Sequence, residues 1–493
     1  MAERTQILVL GGGPAGSTAA TLLAREGFRV TLLEREHFPR EHIGESLLPS
    51  ILTMLDLLGV REKFEAHGFI KKYGGYFEWG ADEWEIVFGD PDEADSGYGF
   101  QVVRSEFDQI LLEHSRGEGV DVREGVKANE VLYWDGRPCA VRWTQQGERR
   151  KGEIAFDYLI DASGRAGLMA THYLDNRLLN EGFRNIAIYS YWSGTKPPEH
   201  GPQGSVLVGS IEDGWIWGIP LHDGTLSVGA VMHTSAFKHK RAALGSVEAV
   251  YADVVGRAPL IANLLASGRR VRPIRVEQDF SYVCERPAGP GFFLAGDAAC
   301  FLDPLLSTGV HLATFSGLLA AAGTASILRG EMDETAVADY YCDAYQTAYV
   351  RFLTLVSSLY LNYRGKESLF WEAQRISHQD VSGSDIARAF RHLIAGLEDL
   401  DDIRDGDSGL VLSEMRRLVD VYFTKGSGRD DAWLARLSAK EQERVLADVK
   451  PLVAPSEYAL SEDTALNGFY VRTTPRLGLA SASAEPAVRS SHG

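Results

Sequence analysis

The sequence predicts a mixed α/β fold: a parallel βαβ unit at the N-terminus, an antiparallel sheet in mid-chain and a mainly helical C-terminal region. Three observations predict it. The apolar strand "QILVL" (Gln6 to Leu10) runs through glycines into the helical stretch "STAATLLAREG" and on to a second strand, "RVTLLE" (Arg29 to Glu34). Between about Arg184 and His233, four β-rich runs, "NIAIYSYWSG", "GSVLVGSIED", "GWIWGIPL" and "TLSVGAVMH", are separated by turns such as "HDG". Beyond Glu331 the apolar residues take helical spacing.

Each element has its own justification. In the first unit, Gly11, Gly13 and Gly16 form G-x-G-x-x-G between a strand and a helix, and Glu34 closes the next strand 23 residues after Gly11. The glycines, with Pro14 and Ala15 between them, allow a tight turn and close approach to a pyrophosphate. The helix N-terminus favours that negative charge, and Glu34 is placed for a ribose hydroxyl. This predicts a Rossmann-like dinucleotide site. "EFDQILLEHSRGEG" reads as a helix ending at glycine, and "FDYLIDASG" as a strand entering a tight turn. "GFFLAGDAA" is a buried strand, and "GVHLATFSGLLAAAGTASILRG" a long helix rich in small residues. The tail "SASAEPAVRSSHG" has the composition of a disordered segment. The division expected is a core over 1–330, with its substrate sheet at about 184–233, a mainly helical domain over 331–478 and a disordered tail over 479–493.

Composition narrows the function. The 493 residues carry a net charge of −18, which disfavours nucleic acid, because Lys and Arg must neutralise its phosphates. No uninterrupted run reaches the roughly 18 apolar residues of a membrane span, and the N-terminus lacks the pattern of a secretory signal. Cys139, Cys284, Cys300 and Cys342 are widely spaced and read as reduced, buried thiols. A cytoplasmic enzyme without a metal site is expected.

The nucleotide is read as FAD. Gly296-Asp297 in "FFLAGDAA" resembles the second FAD fingerprint of the p-hydroxybenzoate-hydroxylase-like flavoproteins. Asp161 and Gly164 in "YLIDASG" resemble their middle motif, and Arg104 in "QVVRSEFD" their cofactor-contacting arginine at a helix start. Arg40 joins this cofactor set. The motifs keep the family order and cover residues 1 to about 330.

Within that superfamily, Trp215-Ile216-Trp217-Gly218-Ile219-Pro220 resembles W-x-W-x-I-P, the fingerprint of flavin-dependent halogenases. Strand alternation puts Trp215, Trp217 and Ile219 on one face, where aromatic side chains equally pack a core. The resemblance implies that they keep the organic substrate away from the flavin, so that FADH2 and O2 oxidise halide, chloride first, to hypohalous acid. It also implies a lysine eight residues before an aromatic-flanked tryptophan. Counting from Trp79 selects Lys71, with Lys72 then facing solvent. A neutral amine would accept halogen as a haloamine, while an ammonium would hydrogen-bond hypohalous acid.

The halide is expected at Ser307, Thr308 and Gly309, at the start of the long helix, although Ser307 fits simple capping equally well. His311 reads as structural. "GESLLPS" (Gly44 to Ser50) looks like the family strap, with Glu45 and Ser46 contacting FAD or linking the two sites. Tryptophan halogenases are longer and carry a C-terminal glutamate with no match here. The chain therefore looks more like the halogenases of phenolic or pyrrolic natural products in secondary metabolism and antibiotic biosynthesis. Some of those take substrates bound to an acyl or peptidyl carrier protein, and a separate flavin reductase is the implied partner. The C-terminal aromatics Phe352, Tyr360, Tyr363, Phe370 and Trp371 have helical spacing and read first as core. The alternatives are an FAD monooxygenase, a reductase of the geranylgeranyl-reductase type, or a non-catalytic flavin-binding partner module.

Overall fold

The computed structural model describes residues 3–80, 82–88, 97–147, 150–361, 466 and 468–482. The nucleotide-binding part of the sequence is built on a six-stranded sheet. Its order is Ala288–Gly289, Phe292–Leu294, Tyr158–Asp161, Ile7–Leu10, Val30–Leu33 and Asp121–Arg123. All neighbours are parallel except the first pair. Strands Ile7–Leu10 and Val30–Leu33 are buried at every position, as strands covered on both faces must be. Pro14–Arg25 crosses between them, with proline at its first turn, where the missing N–H costs nothing.

The mid-chain sheet is larger than the sequence alone outlines. Arg177–Ser193, Thr225–His233, Gly214–Pro220 and Val206–Ile211 lie side by side and antiparallel. Gly74–Trp79 and Asp82–Val87 extend one edge, and Arg275–Cys284 and Cys300–Phe301 the other. These additions come from distant chain, which local alternation does not reveal. One face of the sheet joins the main core, into which Trp215, Trp217 and Ile219 point. The other buries Ile216, Leu226 and Val228 under helices Thr234–Leu244, Val247–Gly256 and Pro259–Leu264.

Gly309–Leu328 is long and apolar enough to cross a membrane, but it is buried within the protein. Its small residues let it lie against Pro14–Arg25: a Cβ on Gly317 would come 2.6 Å from the Ala15 carbonyl oxygen. Cys284, Cys300 and Cys342 are buried, Cys139 is half-buried, and all four are free.

Two expected boundaries move. Helix Glu334–Leu361 packs into the core: Tyr341 and Tyr345 donate to the carbonyls of Leu294 and Gly296 at 2.6 and 3.1 Å. The 479–493 tail does not start where expected. Phe469–Arg472 pairs with Gly478–Ser481 as a hairpin, with Leu477 and Leu479 buried. The Leu479 N–H donates to Ser326 Oγ at 2.8 Å, and the Arg329 guanidinium to the Leu477 carbonyl at 2.8 Å. Two buried leucines outweigh the polar composition that follows them. Tyr363, Phe370 and Trp371 lie outside the described residues.

Candidate active site

The nucleotide turn is built by steric exclusion. Gly11 has φ +99°, and a Cβ there would lie 2.3 Å from the Ala162 carbonyl oxygen. A Cβ on Gly16 would lie 1.9 Å from the Gly11 oxygen. Gly13 differs, since its nearest neighbour would be an Arg40 nitrogen at 3.4 Å. Gly11 and Gly16 therefore shape the turn, and Gly13 leaves open backbone at the helix start, as a pyrophosphate requires. Glu34 accepts from the Gly12 and Glu36 N–H groups at 2.7 and 2.8 Å, which fixes its carboxylate beside the turn.

Asp108 organises the arginines. Arg104 donates to both of its carboxylate oxygens, at 2.9 and 3.1 Å, and Arg40 lies 3.3 Å away. Arg104 also donates to the carbonyls of Ile43 and Gly44 at 2.7 and 3.1 Å, which ties it to the strap. Asp108 carries no family motif, but its i,i+4 spacing from Arg104 was readable.

Asp161 is buried at the end of its strand. Its two oxygens accept from the Ser163 and Met169 N–H groups, at 3.0 and 2.7 Å, so it holds the turn after its strand. Asp297 stays partly accessible, 3.7 Å from Arg165. Burial raises its pKa above the ordinary carboxylate value.

The strap runs beside strand Gly99–Gln101. Leu47 N–H donates to the Phe100 carbonyl, and Val102 N–H to that of Glu45, both at 2.8 Å. On the other side of Gly99–Gln101 lies Ile70–Lys72, with Lys72 opposite Gly99. Here the structure places the two lysines on the faces opposite to those expected. Lys72 is only 2% exposed, with its ammonium 5.3 Å from the centre of the Phe88 ring. Lys71 is the exposed one, lying over Tyr98. The strand breaks at Tyr73 before Gly74–Trp79 begins, so a count back from Trp79 does not carry face parity across the break. Burial lowers the Lys72 pKa to about 7.

Trp215 and Trp217 sit 5.9 Å apart, ring centre to ring centre, both buried. Trp217 donates to Ser227 Oγ at 3.2 Å. Trp215 donates to the Tyr360 hydroxyl at 2.8 Å, and Tyr360 donates to Asp303 at 2.9 Å. Asn185 and the Leu305 N–H also donate to Asp303, at 3.0 and 3.1 Å. Burial pushes the Asp303 carboxyl up to about 6. Sequence reasoning missed Asp303, because its side-chain partners Asn185 and Tyr360 lie far away in the chain. Glu45 is buried beside Ser227 and Tyr191, and burial raises it to about 7.

Asp303 opens the loop expected to hold halide. Ser307 does not cap the long helix. It ends the short helix Pro304–Leu306 with φ +60°. Thr308 is the capping position, fully buried, and its hydroxyl has no partner. Gly309, Val310 and His311 precede the first N–H that is paired within the helix, that of Leu312 to the Thr308 carbonyl. A small anion fits such a site. His311 is buried between Phe315 and Phe352, and its Nδ1 lies 2.7 Å from Ser50 Oγ at the end of the strap.

These motifs meet relatives over nearly the whole chain. The family model described as tryptophan halogenase matches residues 6–95 and 90–400. The chain belongs to this family of flavin-dependent halogenases. A tryptophan 2-halogenase of Chondromyces crocatus is 43% identical over 96% of this halogenase and 94% of its own length. The sulochrin halogenase of Aspergillus terreus is 41% identical over 72% and 69%. Among solved structures, the myxobacterial chondrochloren halogenase is 33% identical and superposes with a TM-score of 0.72, covering 91% of this halogenase and 97% of that chain. The flavin-dependent halogenase CmlS gives 30% and 0.74, over 97% and 84%.

The protein is an FAD-dependent oxidoreductase that halogenates aromatic substrates, with halide and O2 as cosubstrates. The open backbone at Gly13, the paired arginines and the unpartnered Thr308 hydroxyl all fit such a cofactor and anion. When bound, the reduced flavin would activate O2, and that chemistry would supply the oxidation of halide. The residues around it must position, shield and hold protons.

Proposed function

We propose that this halogenase oxidises chloride to hypochlorous acid and passes the halogen by way of Lys72 to a phenolic or pyrrolic natural-product ring, free or carrier-bound. A separate reductase supplies FADH2. The burial of Lys72 carries this reading: among the described residues it is the only buried lysine, and a dry amine near neutrality serves either route. As a neutral amine it takes the halogen and releases water, and as an ammonium it donates a hydrogen bond that polarises hypochlorous acid. The halide belongs at Thr308 and Gly309. Trp215 and Trp217 bar the aromatic substrate from the flavin, so the halogen travels to the substrate.

A second substrate class, free tryptophan, has its own support in the 43% identity to a tryptophan 2-halogenase. The test supplies reduced FAD, O2 and chloride, with monochlorodimedone as a trap for hypochlorous acid. Lys72→Ala should abolish substrate chlorination while flavin oxidation continues, and Lys71→Ala should chlorinate normally. Full chlorination by Lys72→Ala would remove the lysine step. Mass spectrometry on tryptophan, phenols and a carrier-bound pyrrole then decides the substrate.

A further inference from the structure

We propose a divalent metal site formed by His67, Glu106 and His222, at the rim of the cleft that Arg104, Glu45 and Arg272 line. The three residues come from separate segments: the end of helix Arg61–His67, the first turn of helix Arg104–Gly117, and the turn after strand Gly214–Pro220. Their ligand atoms all lie within 4.8 Å of one another. His67 Nε2 is 2.6 Å from Glu106 Oε2, and His222 Nε2 is 3.1 Å from the same oxygen. In a tetrahedral zinc site with bonds of about 2.0–2.1 Å, neighbouring ligand atoms lie about 3.3 Å apart. The two histidine–carboxylate spacings lie within an ångström of that value, and rotation of the imidazoles would close the remaining pair.

The aromatic surroundings fix the imidazoles. Phe69 packs 4.4 Å from the His67 ring and edge-on to His222 at 5.0 Å. Two imidazoles converging on one carboxylate oxygen form a ligand set for borderline ions such as Zn²⁺, and three protein ligands leave a fourth position for water. The sites of Glu106 and His222 are partly buried and that of His67 is exposed, so the ion has a path in. Sequence spacing hides the site, since no two of the three ligands lie near each other in the chain.

The location gives the site a consequence. Ser105 and Arg104, beside Glu106, line the cleft with Glu45 and Arg272, as do Leu221 and Asp223, which flank His222. A bound ion would clamp the turn after the tryptophan strand to the helix that carries the cofactor arginine. It would therefore stiffen the cleft without touching the halogen chemistry.

The test uses tag-free, FAD-loaded, chelator-treated protein, titrated with Zn²⁺ in a calorimeter and with Co²⁺ in the visible spectrum. One Zn²⁺ per chain, a rise in melting temperature and the intense bands of tetrahedral Co²⁺ are expected. Glu106→Gln and His222→Ala should each weaken binding by at least about tenfold and abolish those bands, with FAD binding retained. His239→Ala, an exposed control, should change nothing. Absence of binding in the micromolar range, or Zn²⁺ binding that survives both ligand variants, would overturn the site.

Discussion

Two adjacent lysines show how much one side chain's environment decides. Lys71 is solvated, and Lys72 lies in a dry site that lowers its pKa from 10.5 to about 7. The sign of the stability effect follows. Between about pH 7 and 10.5 the unfolded chain holds the proton that the folded one has released, so stability rises with pH across that window. Below about 7 the full cost of a buried charge is present. Lys72→Met, which keeps the stem packing, should therefore raise the melting temperature by a few degrees at pH 7, with the gain shrinking towards pH 10. A gain on the order of 2 kcal/mol is expected. Chlorination should be lost in the same variant, and Lys71→Met should show neither effect. Thermal melts at several pH values, run beside the chlorination assay, check this.

The glycines and tryptophans separate shape from function at the same scale. Gly16→Ala drives a Cβ into the Gly11 carbonyl and should destabilise the fold, whereas a Cβ at Gly13 meets only an Arg40 nitrogen, at 3.4 Å. Gly13→Val should fold with a near-normal melting temperature and lose FAD binding, measured by flavin fluorescence. Unchanged FAD affinity in that variant would refute the pyrophosphate placement. Trp215→Phe and Trp217→Phe keep an aromatic ring in the core and should cost only about 1–2 kcal/mol. At least one should yield less halogenated product per flavin oxidised. Unchanged coupling in both, with lowered melting temperatures, would leave the pair as packing alone.

Between elements, Tyr360 joins three parts of the site. It links the tryptophan strand to Asp303, and Asp303 starts the loop that leads to Thr308. Tyr360→Phe removes one hydroxyl, leaves the Trp215 N–H without its acceptor and takes one of the donors from Asp303. The loss should be about 1–3 kcal/mol of stability. If the network also positions the halide loop, KM for chloride should rise several-fold while flavin affinity holds. A destabilised protein with unaltered KM for chloride would limit Tyr360 to packing.

At the scale of the whole molecule, the C-terminal hairpin closes the chain onto its N-terminal half. Val471, Leu477 and Leu479 are buried, and the Leu477 N–H donates to Glu26 at 2.7 Å. Three buried aliphatic side chains are worth roughly 5–8 kcal/mol, which exceeds half of a typical domain's stability. Deleting residues 466–493 should therefore give poorly soluble protein or a melting temperature lowered by at least about 10 °C, read by scanning calorimetry. A truncated chain that melts like the full one would show the hairpin to be dispensable.

The sequence by itself determined the chemistry class. Gly11, Gly13 and Gly16 before a helix, Gly296-Asp297 after a strand, and two tryptophans two residues apart are local patterns, each set by a steric or electrostatic need within a few residues. Local patterns also placed the βαβ unit, the four central strands of the large sheet and the long helix. Tertiary structure alone decided which lysine is dry, because a strand break resets face parity. It brought Asp303 and Tyr360 to Trp215, and folded the hairpin after Leu466 back onto Glu26 and Ser326. These outcomes depend on burial and on contacts between residues tens to hundreds of positions apart, and no periodicity within one segment carries that information.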